Sequence, residues 1–205
     1  MNSYAFHISL YDVFFFTMII VGITFALLLG FVKIINRGAN RFLALALLTI
    51  ILWMTRILAI DLMPGSRLPV QFLLAFGPLL YFYVLKITRP KYRFRWKNLL
   101  HFTPLILEQA LLPFQQLNAV LQLLVFISVI IYLYRSNRLI QHFYSQLPLV
   151  LMDRSRLELR WLRRLLAATA LLWILWIGSA AVDYFGYHNQ LGLQIYYPFY
   201  IFFAV

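Results

Sequence analysis

The sequence contains no cysteine, which removes thiol catalysis, thiolate metal sites and disulfide staples in one step. Charge is scarce as well. Only 12% of the residues are Asp, Glu, Lys or Arg, about half of what the surface of a soluble domain carries, so a water-facing globular domain is excluded. No basic residue precedes Lys33. The first apolar stretch therefore lacks the positive flank of a cleaved signal and reads as a retained span. The four histidines, His7, His101, His142 and His188, show no paired metal-ligand spacing. Phosphate-cradling glycine loops, nucleophile elbows and metalloprotease helix motifs are missing. The expectation is a protein that is not an enzyme, with no catalytic residue, no metal and no cofactor.

What fills the chain is apolar. Hydrophobic residues make up 63% and aromatics 18% of the 205 residues, and the mean hydropathy is +0.82. Several runs approach or exceed the roughly 18 to 20 residues that cross a bilayer core. This composition excludes a disordered chain and predicts an all-α fold, a polytopic transmembrane bundle of about seven helices. Their ends fall at charged or turn-forming clusters, giving spans at Tyr11 to Ile35, Phe42 to Ile60, Val70 to Thr88, Leu99 to Pro113, Leu117 to Tyr134, Leu165 to Tyr184, and Gln194 onward. The fourth is short, and Pro104 and Pro113 predict a tilt or kink there. The seventh reaches Val205 after about half a span, so the sequence reads as truncated.

Net charge is +12, from 18 basic against 6 acidic residues. In a soluble protein that excess points to nucleic acid, but in a membrane protein its distribution sets orientation. All of the 18 basic residues except Arg56 and Arg67 lie in connections one, three and five or at their flanking helix ends. The positive-inside rule then puts the N-terminus outside, these connections in the cytoplasm, and the end of a completed seventh helix in the cytoplasm too.

The segment Arg89, Pro90, Lys91, Tyr92, Arg93, Phe94, Arg95, Trp96, Lys97 alternates cations with aromatics. It reads as an interfacial loop whose cations meet anionic head groups while Tyr92, Phe94 and Trp96 sit in the aromatic belt. The stretch 135–164 is too short for an independent domain and reads as a cytoplasmic amphipathic connection. Its second half sets Leu157, Trp161, Leu162 and Leu165 on one face and Arg156, Arg160, Arg163 and Arg164 on the other, with Glu158 interrupting the apolar face. Such a helix lies on the leaflet surface before it turns into the sixth span. Membrane lipids are thus the expected partners of Arg89, Lys91, Arg93, Arg95, Trp96, Lys97, Arg160, Trp161, Arg163 and Arg164.

Arg56 is the cation inside an apolar run. It has two readings: snorkelling to the outer head groups, or pairing across the bundle with Glu108 or Asp183, with Gln71, Gln109 or His188 nearby to line an outward-facing ligand pocket. No ligand is specified. Gly22, Ala26 and Gly30 share one face of the first helix, where another helix approaches closely, and a homodimer is the second reading of that face. Gly77-Pro78 and Pro198 predict kinks in the third and seventh spans.

Two stretches resemble a known family. Gly77-Pro-Leu-Leu-Tyr-Phe-Tyr-Val-Leu-Lys86, then Pro90, Phe94-Arg-Trp-Lys97 and Leu99-Leu-His-Phe-Thr-Pro104, are similar to the third-to-fourth helix region of membrane-anchored AraC-type transcriptional regulators common in Bacteroidota. Tyr144-Ser145 and Leu159-Arg-Trp-Leu-Arg-Arg-Leu-Leu166 resemble the same family's cytoplasmic connection into its sixth helix. The similarity runs from about Phe42 onward. It implies a seven-helix bundle in the bacterial inner membrane, followed after Val205 by a cytoplasmic pair of helix-turn-helix units. DNA would be a partner only through that following domain. The fourth-to-fifth connection is shorter than the family's. The resemblance implies the sensory or anchoring region of a transcription regulator; the seven-helix sensor of a histidine kinase and a small transporter are the alternatives.

Overall fold

A computed structural model describes residues 10–31, 36–62, 72–111, 118–146 and 149–186. All of the regular structure among them is helical. The helices are α1 (Leu10–Phe31), α2 (Arg37–Leu62), α3 (Phe76–Thr88), α4 (Pro104–Leu111), α5 (Asn118–Ser145) and α6 (Leu149–Gly186), with single-residue-tighter 3₁₀ segments at Leu73–Ala75 and Trp96–Phe102. Four of them are long and apolar enough to cross a membrane: Asp12–Phe31, Arg37–Ala59, Val120–Ser145 and Leu159–Gly178. Leu73–Thr88 is apolar but shorter. The seventh expected span, with Pro198, lies outside the described residues.

Burial runs opposite to that of a soluble bundle at the periphery. α1 packs on α2 through Phe15, Ile19 and Ala26, while Val13, Phe16, Ile20, Phe25, Leu28 and Phe31 are exposed, the last 75% so. Water would not tolerate a contiguous apolar face of this kind, whereas lipid tails would. Threonine hydroxyls on these helices satisfy themselves within their own helix, as hydrocarbon surroundings demand. Thr17 Oγ1 donates to the Val13 carbonyl (2.8 Å), Thr24 Oγ1 to Ile20 (2.9 Å), Thr55 Oγ1 to Ile51 (2.8 Å) and Thr169 Oγ1 to Leu165 (2.8 Å). These features mark a membrane protein.

At the centre stands α3, buried at nearly every position from Leu73 to Leu85. It is apolar all round because α2, α5 and α6 surround it. Small residues bring the backbones together. Ala39 and Ala46 of α2 join the cluster around α3, while a Cβ on Gly77 would meet Tyr132 Cδ2 at 3.0 Å and the Ser128 carbonyl oxygen at 3.3 Å, so α3 approaches α5 as only glycine permits. Gly22 serves the same end against α2, where a Cβ would fall 3.0 Å from Ile51 Cγ1. The glycine-alanine face of α1 is thus covered by α2 at Gly22 and Ala26.

Several expectations need correction. Pro78 falls in the first turn of α3, directly after the 3₁₀ segment Leu73–Ala75, so it sits where the helical run changes type and not in the interior of an α-helix. The expected fourth span is broken in two: a 3₁₀ segment ends at Phe102, Thr103 follows, and Pro104 takes the first position of α4, which suits its fixed φ. α5 continues three turns past Tyr134 to Ser145. The stretch 149–186 is one helix of 38 residues, so the amphipathic segment does not lie on the leaflet and turn; it runs straight into the span. Its buried stripe is Leu159, Leu162, Leu166, Trp173 and Trp176, a spacing of three and four that repeats every seven residues as in a coiled-coil seam. Trp161 and Leu165, expected on the apolar face, are exposed.

Candidate functional site

The two ends of the bundle carry different chemistry, and α3 links them. At its start the chain emerges with backbone N–H groups that no preceding turn satisfies. Glu108, on the single buried position of α4, fills this need. Its Oε1 accepts from the Leu73 N–H (3.0 Å) and its Oε2 from the Leu74 N–H (3.1 Å). The carboxylate is completely buried. A negative group at a helix start is favoured both by the aimed N–H donors and by the positive end of the helix dipole. Arg56, midway along the last half of α2, interacts electrostatically with this carboxylate. The structure therefore brings Arg56 and Glu108 into one neighbourhood, but with both carboxylate oxygens spent on the backbone of α3. Gln109 follows on α4, half-buried. Gln71 and His188 lie outside the described residues, as does the side chain of Asp183, which is carried on the last turns of α6.

Halfway along α3 a cluster of rings joins the broken fourth segment to the bundle. His101 Nδ1 and the Tyr132 hydroxyl are 2.8 Å apart. The imidazole also meets Phe82 edge-on at 5.4 Å and Tyr81 at 6.1 Å. Phe102 stacks on Phe82 at 5.9 Å. Each such ring pair contributes roughly 0.5–1.5 kcal/mol beyond its buried area. Arg135, one turn further along α5, acts electrostatically on both His101 and Tyr132. The partners of His101 are 31 residues or about 20 residues away in sequence, and no local pattern announces them.

The other end is basic. Asn36 caps α2, with the Ala39 N–H directed at its Oδ1 (3.4 Å), and its Nδ2 donates to the Lys86 carbonyl (2.9 Å). Lys86 Nζ in turn donates to the Tyr92 carbonyl. These bonds tie the start of α2, the end of α3 and the 89–95 loop together, so Arg37 and the basic residues of the third connection share one end of the bundle. Arg89, Lys91, Arg93, Arg95 and Lys97 are all exposed, as are Arg160, Arg163 and Arg164 on α6. Trp96 is 87% exposed and Trp161 about half. Phe94 behaves differently from the belt residue expected. Its ring docks on Phe82 (5.3 Å) and Phe42 (5.9 Å), pinning the loop to the bundle.

Compared with known proteins, the chain matches no family model, no curated protein and no solved structure.

Proposed function

We propose that this chain is the membrane-embedded sensory or anchoring region of a bacterial transcription regulator. In this reading the bundle has seven spans in the inner membrane, the N-terminus is outside, the basic end faces the cytoplasm, and a DNA-binding domain of AraC type follows Val205. An external or lipid-dissolved ligand, or a partner protein, shifts helix packing, and the cytoplasmic segments bias the dimer state of the appended domain. The observation that carries the reading is the unbroken α6. One helix packs against the centre of the bundle through Trp173 and Trp176 and extends through Leu159 into the basic region, so a change of packing inside the membrane is delivered outside it without a joint. The resemblance of residues 77–104 and 144–166 to the AraC-type regulators supports the choice of output.

The test is to read the gene beyond the codon for Val205. Two helix-turn-helix units within roughly a hundred residues support a DNA-binding output. A dimerisation helix carrying a phosphoacceptor histidine replaces it with a kinase output, and an early stop codon removes both and makes transport the leading reading.

A further inference from the structure

A cleft of about 230 Å³ opens at the basic end between the close of α3 and the last turns of α5, lined by Thr88, Arg89, Leu139, His142, Phe143 and Gln146. Its two kinds of wall are distinct. Leu139 and Phe143 are half-buried and packed on the core, and Thr88 turns its hydroxyl away to the Val84 carbonyl at 2.9 Å, leaving an apolar floor. Arg89, His142 and Gln146 are exposed and hold donors at the rim. Among the described residues no acidic side chain lines it. Two helix C-termini end beside the cleft, and each contributes roughly half a negative charge. Against that stands the guanidinium of Arg89 in the lining, with Lys91 and Arg93 exposed in the loop that follows it.

We propose that this cleft holds the phosphate-bearing head group of one anionic phospholipid. The inference rests on the reading that these helices span a membrane and adds a defined lipid site to it. The volume argues for a head group, since pockets that enclose a whole drug-sized ligand occupy about 300–1,000 Å³. A cation able to bind phosphate oxygens bidentately stands at the rim, an apolar floor continues toward the span of α5, and the glycerol and acyl chains have the exposed apolar surface of Ile127 and Ile131, on the same side of α5 as His142, to lie against. A free phosphate shares the head-group chemistry but has no use for that floor or surface.

The experiment is native mass spectrometry of the full chain, released from nanodiscs of phosphatidylcholine containing phosphatidylglycerol and titrated in the latter. The expected result is one phosphatidylglycerol retained per chain in preference to phosphatidylcholine. Arg89→Gln weakens retention about tenfold, the loss of one charge-assisted contact, and Arg93→Gln, in the same basic loop but outside the cleft, weakens it less. Equal retention of both lipids, or equal weakening by the two variants, overturns the proposal. Displacement by millimolar inorganic phosphate also overturns it, in favour of a soluble anion. Extraction of the chain from membranes by alkaline carbonate is a separate outcome that sinks the membrane-spanning reading itself.

Discussion

Replacing Glu108 by alanine removes two hydrogen bonds and a charge from one fully buried point. The N–H groups of Leu73 and Leu74, now 3.0 and 3.1 Å from carboxylate oxygens, lose their acceptors, and Arg56 loses the negative charge with which it interacts. Hydrogen bonds to charged groups contribute about 1.5–3 kcal/mol each. Arg56 is only half-buried, so the lost charge interaction adds no more than about 1 kcal/mol. The contributions overlap, so the expected destabilisation is about 4 kcal/mol, and Glu108→Gln, which keeps one acceptor oxygen, costs about 2 kcal/mol. Unfolding of the purified chain in mixed micelles of increasing denaturing detergent, followed by tryptophan fluorescence, reads both values. Arg56→Leu supplies the cross-check. Its cost is smaller in the Glu108→Ala background than in the parent, by up to about 1 kcal/mol, because residues in one polar network do not act additively. Full additivity, or a Glu108→Ala variant within about 0.5 kcal/mol of the parent, would refute the assignment of Glu108 as the anchor of α3.

Other outcomes follow from the same geometry. Gly77→Ala destabilises by about 1–3 kcal/mol in the same assay, because the new Cβ meets Tyr132 Cδ2 at 3.0 Å. Gly178→Ala, in the interior of α6 with nothing within 4 Å of the new Cβ, stabilises by about 0.5–1 kcal/mol. Tyr132→Phe removes the 2.8 Å contact to His101 and costs about 1 kcal/mol, and adding His101→Phe then costs less than it does alone. Since the chain has no cysteine, Ser3→Cys and Lys97→Cys can be labelled singly: an impermeant maleimide marks the first in intact cells and the second only after permeabilisation, and the reverse pattern inverts the proposed orientation.

Hydropathy marked the helices that face lipid, because their exposed and buried faces are equally apolar and the signal is the run itself. It misjudged where α5 and α6 end. Arg135, Arg138, Arg160, Arg163 and Arg164 lower the local hydropathy and read as a connection, yet Ile140, Leu159 and Leu162 bury a continuous seam beneath them. The prolines show the same limit. Pro104 opens a separate short helix where a tilt or kink of one span is expected, and the effect of Pro78 depends on where α3 starts, just after a 3₁₀ segment whose Leu73 and Leu74 N–H groups donate to Glu108 of a distant helix. Arg56 and Glu108 were legible as the charged residues of apolar segments. The direction of the carboxylate toward the backbone of α3 was not, because a backbone N–H leaves no mark in a sequence.

The length of α6 has a mechanical consequence. At 38 residues and about 1.5 Å per residue the helix is about 57 Å long, nearly twice the roughly 30 Å of a hydrocarbon core. A rod of that length pivoting by about 5° at its midpoint moves each tip by about 2.5 Å, half the pitch of a helical turn. Small reorientations where Trp173 and Trp176 pack on the bundle are thereby magnified into displacements comparable to a side-chain radius at the far tip.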